Sequence, residues 1–384
     1  MVIIHAYIYP VVSAPIPDGF LRFDRTIRAL GPMTDYTTEP GEEVLDAEGR
    51  WLMPGFIDIH THLGLFGDGV GFEAEDCNEA TDPVTPQLRV IDAINPMDRT
   101  FEDARNGGVT TVIVAPGSAN PIAGQAAAIR TYGRRIDDMI LRAPAAMKFA
   151  LGENPKSTYN DRDETPVTRM ATAALIRENL RKAQEYTEKQ ERAQEDPELD
   201  APDFDMKLEA LIPVLRRQCQ AHFHAHRLDD IFTAMRISKE FDLDCVIIHG
   251  TESYLAPDIM REEQARIVTG PNLLDRCKPE LRNMSFSGPA VLTENGVLCS
   301  ICTDHPETPL QYLPLCAAMA MRSGLSHDDA LAAITINPAR IAGLDDRIGS
   351  LEAGKDADLV LLTGDPLELS SKVTDVYSLG RKCL

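Results

Sequence analysis

The feature that most constrains this chain is a short apolar segment that ends in two histidines one residue apart. The segment reads Met53-Pro54-Gly55-Phe56-Ile57-Asp58-Ile59-His60-Thr61-His62. In an extended segment side chains alternate between two faces, so His60 and His62 project to the same side, close enough to share one metal ion. Asp58 lies on that face one layer below, and we expect its carboxylate to accept an N–H from a ligating imidazole. The segment therefore predicts a strand that ends in a metal site.

Three later segments have the same form, in which an apolar stretch ends in histidine or aspartate. They are Gln220-Ala221-His222-Phe223-His224-Ala225-His226-Arg227, Cys245-Val246-Ile247-Ile248-His249-Gly250, and Leu298-Cys299-Ser300-Ile301-Cys302-Thr303-Asp304-His305-Pro306. Neutral imidazole and carboxylate are ligands that suit zinc, and they also serve iron, manganese and nickel. The pattern thus indicates a divalent metal and leaves its identity open.

In this order the segments resemble the amidohydrolase superfamily of metal-dependent hydrolases, and relatives with this motif set include imidazolonepropionase-like and dipeptidase-like enzymes. The resemblance extends over nearly the whole chain, since residues 334–340 and 349–360 also read like the family. It implies that the ends of barrel strands 1, 4, 5, 6 and 8 hold one or two divalent ions, with zinc expected first. The implied metal ligands are His60, His62, His224, His249 and Asp304.

The fold that the resemblance implies is α/β, a (β/α)8 TIM-like barrel with a small β-sandwich domain built from both chain ends. The predicted barrel comprises residues 53–346, and the small domain comprises 1–52 and 347–384. Strand-like and helix-like segments alternate through the central part of the chain, as a barrel requires.

The predicted fifth strand carries three histidines on one face. By the family pattern, the first histidine of the His-Ala-His run binds metal, which assigns His224 as the ligand. His222 then lies one layer deeper as a packed core residue. His226 lies nearer the lip, where we predict that it contacts substrate and takes part in catalysis.

The ligand from the fourth strand is ambiguous. The segment that contains it, residues 145–156, offers both Lys148 and Glu153. Some relatives place a lysine here, which must add carbon dioxide to become an anionic carbamate that bridges two metals. Others use a glutamate in a turn. Lys148 is the first choice, with Glu153 as the alternative.

The resemblance implies that Asp304 contacts the metal and its bound water, accepts a proton as general base and passes it to the departing nitrogen as general acid. The predicted activity is hydrolysis of a carbon–nitrogen bond in a small amide, cyclic amide, N-acyl compound or dipeptide. Arg282 is a candidate clamp for a substrate carboxylate. A deaminase acting on a ring amidine and a catalytically silent scaffold of the same fold are the alternatives.

Composition narrows the partners. With 38 Lys and Arg against 60 Asp and Glu, the net charge of −22 repels phosphate backbones and anionic lipids alike. We therefore expect a small-molecule substrate, without nucleic acid or membrane partners, and a cytoplasmic location, because the N-terminus lacks a signal-peptide pattern. Most of the eight cysteines are predicted to be reduced core residues. The charged stretch 165–205 is predicted to be a solvated helical excursion, with a homo-oligomer contact or a lid as the alternative.

Overall fold

The computed structural model describes residues 1–67 and 71–384. The described residues form sixteen strands, arranged in two sheets. In chain order, β1 to β16 are Val2–Ile8, Ile16–Phe23, Ile27–Pro32, Val44–Asp46, Trp51–Pro54, Phe56–Thr61, Val109–Val114, Ile122–Arg130, Ile140–Ala150, Gln220–Ala225, Cys245–His249, Arg266–Thr269, Leu298–Ile301, Leu359–Leu362, Val373–Ser378 and Arg381–Lys382.

Ten α-helices connect these strands or pack on them within the described residues. In chain order, α1 to α10 are Thr100–Asn106, Glu153–Asn160, Arg169–Glu195, Met206–Leu215, Leu228–Phe241, Pro257–Glu262, Gly288–Glu294, Leu313–Arg322, His327–Ala332 and Ile336–Ala342. None of them is both long and apolar enough to cross a membrane.

The first sheet combines strands from both ends of the chain. Its order is β16-β15-β14-β5-β1-β2-β3, with β4 paired to β1, and β14 joins the two ends by running antiparallel to β5. One apolar cluster that includes Ile3, Leu21 and Leu359 holds these strands together. The strands form one eight-stranded sheet, so the predicted sandwich is not confirmed. The domain limits at 1–52 and 347–384 remain a prediction.

The second sheet is the barrel, in the order β6 to β13. All neighbouring strands are parallel except β8, which runs antiparallel to both β7 and β9. The prediction of a regular strand-helix alternation is wrong at this point. The link 115–121 from β7 to β8 is too short for the crossover that a parallel pair needs, which takes roughly a dozen residues or more.

The barrel is nearly closed between its first and last strands. The His62 amide donates to the His305 carbonyl at 2.9 Å, and the Ile57 amide donates to the Ile334 carbonyl at 2.9 Å. These bonds bring the end of β6 beside the segment that follows β13. The histidine pair and Asp304 consequently meet at one edge of the barrel.

Strand alternation determines which side chains enter the barrel. In β10 the outward-facing Phe223 stacks on Phe149 of β9 with ring centroids 4.7 Å apart, and both lie in an apolar cluster with Leu180 of α3. The other face of β10 therefore points inward and carries His222 and His224. The helix predicted in the charged stretch exists as α3, and its apolar residues Ile176, Leu180 and Ala183 are buried.

Candidate functional site

Two groups of potential metal ligands lie together at the carboxyl-terminal edge of the barrel. One consists of His60, His62 and Asp304, and the other of His224, His226 and His249. Within each group the ligand atoms lie within 4.8 Å of one another. The imidazole rings of His60 and His249 link the groups, with centroids 5.0 Å apart. The edge at which they meet is where barrel enzymes carry their active sites.

Hydrogen bonds at the rear of the rings orient them toward the site. His62 Nδ1 donates to the Ala115 carbonyl at 2.8 Å, and His249 Nδ1 donates to the Gly270 carbonyl at 2.7 Å. A proton fixed on Nδ1 leaves the lone pair of Nε2 free to bind a metal.

His224 is oriented by a different partner. Its Nδ1 lies 2.9 Å from the Ser118 hydroxyl, while its Nε2 is buried without a hydrogen-bond partner among the described residues. A buried polar atom without a partner is costly, and native proteins rarely retain one without a reason. A metal ion bound to Nε2 would supply the missing partner.

Asp304 connects the two histidines of β6. Its Oδ1 lies 3.1 Å from His60 Nε2 and 3.3 Å from His62 Nε2. Burial raises the pKa of this carboxyl, but the imidazoles of His249, His60 and His62 outweigh that effect and hold the pKa well below its usual range. Asp304 is therefore an anion, which is the form that binds a metal.

The backbone is strained where two of these residues leave their strands. Asp304 has a φ of 52° and His249 a φ of 72°, in the left-handed region that residues with a Cβ seldom occupy. Strain of this kind costs about 1–3 kcal/mol and persists mainly at functional sites. It aims both side chains into the barrel mouth.

The surroundings of His62 favour a proton on its imidazole. Burial lowers the pKa of this imidazole, but Cys77 and Asp304 beside it outweigh that effect and raise the pKa to about 10. Both ring nitrogens then donate, Nδ1 to a carbonyl and Nε2 toward Asp304. A metal that binds here displaces the Nε2 proton, so its affinity must fall as the solution becomes more acidic.

The donor set thus fits a divalent metal. It comprises imidazoles with their Nε2 atoms directed inward, an ionised carboxylate, and a buried Nε2 on His224 that has no partner among the described residues. Nitrogen and oxygen donors of this kind suit zinc and also iron, manganese and nickel.

The structure separates the two strand-4 candidates. Lys148 is fully buried on the inner face of β9, and its Nζ lies 3.3 Å from His60 Nε2. Glu153 begins α2, belongs to neither ligand group, and uses its backbone N–H to bind Glu280. The geometry therefore favours Lys148 as the strand-4 residue of the site.

Asp58 has a different role from the one predicted. Its Oδ1 accepts from the His60 amide at 3.0 Å, and its Oδ2 accepts from the Thr303 amide and hydroxyl, both at 2.7 Å. His60 Nδ1 has no hydrogen-bond partner among the described residues, so Asp58 does not support that imidazole. The carboxylate instead ties β6 to the segment that carries Asp304.

A cavity of about 330 Å³ opens onto the candidate metal ligands. His62, His224, His226 and Asp304 form part of its wall. His226 Nδ1 lies 2.7 Å from the Thr251 hydroxyl, and its ring stacks on His249 with centroids 4.6 Å apart. His226 therefore belongs to a candidate ligand group and also faces the cavity. It can contact substrate, as predicted, or bind a metal.

Arg282 is not at this cavity. Its side chain is 73% exposed, its nearest carboxylate is Glu252 at 3.9 Å, and it is absent from the residues that line the cavity. Its placement argues against the predicted carboxylate clamp. Lys278, which lies in the same segment, lines the cavity instead.

Comparisons with known proteins give the family and the fold that the chain resembles. The profile of the amidohydrolase family matches residues 51–382. The amidohydrolase tasK of Hapsidospora irregularis is 30% identical over 358 residues, which cover 87% of this chain but 36% of that protein, so the chain spans about a third of its length. The imidazolonepropionase of Symbiobacterium thermophilum is 25% identical over 394 residues, covering 91% of this chain and 85% of that protein. The crystal structure of an amidohydrolase from Thermotoga maritima MSB8 superposes with a TM-score of 0.96 at 42% identity and covers 100% of this chain and 99% of that one.

Proposed function

The chain belongs to the amidohydrolase family, and we propose that it hydrolyses a carbon–nitrogen bond of a small molecule at a divalent metal centre in the barrel mouth. The observation that carries the proposal is the convergence of two three-residue ligand groups beside one cavity. The substrates that fit this chemistry are amides, cyclic amides, N-acyl compounds and dipeptides.

The two groups would each hold one ion, His60, His62 and Asp304 on one side and His224 and His249 on the other, with His226 as a further ligand or a substrate contact. When bound, the metal supplies a Lewis acid that polarises the substrate carbonyl and makes water a nucleophile near neutral pH. The carbonyl oxygens of Ala115 and Gly270 keep His62 and His249 in the tautomer that this binding needs.

Asp304 is the residue that moves the proton. It lines the cavity, it is anionic, and its carboxylate already lies within 3.3 Å of two imidazoles. It can therefore accept a proton from the attacking water and deliver that proton to the departing nitrogen. General acid and base catalysis of this kind contributes roughly 10²- to 10⁴-fold to the rate.

Lys148 would complete the centre as a carbamate. Burial lowers the pKa of its ammonium to about 8, so a useful fraction of the amine is neutral and can add carbon dioxide. The carbamate is anionic and would lie beside His60. An ammonium at the same position would repel the metals.

The test is hydrolysis by protein loaded with zinc, manganese, iron or nickel, against a panel of small amides, lactams, N-acyl amino acids, dipeptides and aminopurines. We expect release of a carboxylic acid and an amine from at least one amide class, and loss of that activity on chelation. Ammonia released from aminopurines alone would make the protein a deaminase. A folded preparation that binds metal and acts on nothing in the panel would favour the scaffold.

The matched variants are Asp304→Asn and Cys299→Ser. We expect the first to lower turnover at least about 100-fold while the fold persists. Cys299 is buried away from both ligand groups, and its neutral thiol should be replaceable without loss of turnover. Equal rates in the wild type and Asp304→Asn would refute the assigned role of Asp304.

A further inference from the structure

The cavity has a cationic side chain that the reaction itself does not use. Lys278 lines the wall together with His226 and Asp304, and its side chain is 22% exposed. It lies on the segment between β12 and α7, outside both metal-ligand groups. A positive charge that is withdrawn from solvent and faces a substrate cavity needs an explanation.

The charge of Lys278 is incompletely neutralised by the protein. Its Nζ donates to Asn154 Oδ1 at 2.9 Å, which is its only hydrogen bond in the described part of the chain. The nearest carboxylate, that of Glu280, is 4.0 Å away. Because an ammonium has three donors, two remain for a ligand in the cavity.

One carboxylate oxygen of Glu280 is held by other donors, and the oxygen that faces Lys278 lies beyond hydrogen-bond distance. Its Oε1 accepts from the Glu153 amide and from Arg169 Nη2, the second at 3.1 Å. Burial raises the pKa of this carboxyl to about 7, so its negative charge is itself weakened near neutral pH. These contacts fix the loop that carries Lys278 and leave the ammonium directed at Asn154 and the cavity.

The rest of the wall indicates what else a ligand would carry. Phe66, Leu274 and Leu281 line the cavity as apolar surface, and Ser118 adds a hydroxyl beside His224. Glu307 adds a carboxyl whose pKa is raised by burial, which weakens its negative charge. A ligand that fills the cavity would therefore combine an apolar group with an anionic one. Its size is bounded by the cavity volume of about 330 Å³.

The charge of the whole molecule adds to the argument. A chain with a net charge of −22 repels anionic small molecules at a distance. Binding such a substrate requires local positive charge inside the site. Arg282, a second cation of the segment that carries Lys278, is largely exposed and does not line the cavity.

We propose that Lys278, positioned by Asn154, binds a carboxylate of the substrate, so that the preferred substrates are small amides of an apolar acyl group with an amino acid. This inference rests on the proposed function and deepens it by naming the substrate class. Lys278 contributes binding and orientation, and Asp304 retains the proton transfer.

The experiment compares N-benzoyl derivatives of glycine, β-alanine and 4-aminobutyrate with their methyl esters, so that the spacing of the carboxylate varies. Hydrolysis is measured with zinc-loaded protein, and binding is measured by calorimetry with chelated protein, in which no metal can bind the carboxylate. The variants are Lys278→Met, which keeps much of the side-chain volume, and Arg282→Met as the exposed control.

We expect at least one acid to bind the chelated wild type at least about tenfold more tightly than its ester, the scale of a charge-assisted hydrogen bond. Lys278→Met should remove this preference, and in the loaded enzyme it should lower kcat/KM for the acid at least about tenfold, mainly through KM. The ester should be affected less than about threefold, and Arg282→Met should match the wild type for both.

The two proposals can fail separately. If the acids and esters bind the wild type equally, or if Lys278→Met retains the preference, the carboxylate site is refuted whatever the enzyme hydrolyses. If the preference exists and depends on Lys278 but no amide is hydrolysed, the carboxylate site stands and the proposed activity fails.

Discussion

Replacing Asp58 tests how the barrel seam, which is the contact between β6 and the segment that follows β13, supports the candidate metal site. The carboxylate is fully buried and accepts three hydrogen bonds, one from the His60 amide and two from Thr303. Asp58→Ala leaves all three donors buried without this partner, and each unsatisfied donor costs about 1–3 kcal/mol. Removing an acid whose pKa burial has raised to about 7 returns part of that cost. We therefore expect a net loss of about 3–4 kcal/mol in the free energy of unfolding.

Asp58→Asn is the graded comparison. Its single amide oxygen can serve either the His60 amide or the Thr303 pair, while its NH₂ group must face the remaining donor. We expect a loss of about 1–3 kcal/mol, because at least one buried donor stays unsatisfied. Thr303→Val, which removes the hydroxyl alone, should cost about 1 kcal/mol.

The assay is urea unfolding of each variant with the metal removed, at one pH. Far-ultraviolet circular dichroism monitors the transition, and its midpoint is compared. The order of loss should be Asp58→Ala, then Asp58→Asn, then Thr303→Val, with an unchanged denaturant slope. Metal affinity should fall as well, by roughly 10- to 100-fold for Asp58→Ala, because both His60 and Asp304 lose their fixed backbone. An Asp58→Ala protein less than about 1 kcal/mol below the wild type would refute the seam argument.

The other predictions concern the site and one distant histidine. Lys148→Ala should lose metal and activity, with partial rescue by acetate or propionate, while Glu153→Gln keeps both; metal retained by the first variant and lost by the second would reverse the assignment. Reconstitution of apo-protein should depend on bicarbonate in the wild type, and equal reconstitution in its absence would exclude the carbamate. Burial lowers the pKa of His327, but hydrogen bonds to Asp365 and Asp328 outweigh this and raise the pKa above its usual value. The stabilisation by His327 should therefore be complete at about pH 5, below the ordinary pKa of about 6.5, and be lost as the pH rises through the folded-state value. The melting temperatures of wild type and His327→Gln should accordingly differ more at low pH than at high pH. A difference that stays constant with pH would contradict the predicted stabilisation by protonated His327.

That the histidine pairs lie together could be predicted from sequence, because they follow a local rule. His60 and His62 lie two residues apart at the end of β6, and the same spacing relates His224 to His226 at the end of β10, so the period of a strand predicts that each pair shares one face. The structure brings these strand ends together with His249. The family indicated by the motifs is confirmed by the match over residues 51–382.

The features that sequence reasoning missed depend on long-range packing. Asp58 bonds to Thr303, which is far away along the chain, and no local pattern indicates that partner. Lys278 and Arg282 lie in one segment, and their charges alone do not reveal that one lines the cavity while the other faces solvent. The reversed strand β8 was open to prediction, because residues 115–121 are too short for a crossover helix.

The most direct test of the metal centre is an anomalous difference map from crystals of zinc-loaded protein, measured on both sides of the zinc absorption edge. We predict strong peaks at ligand distances, about 2.0–2.2 Å, from the His60, His62 and Asp304 group and from the His224 and His249 group. A map from fully loaded protein with no peak at either group, or with zinc bound elsewhere in the chain, would contradict the account.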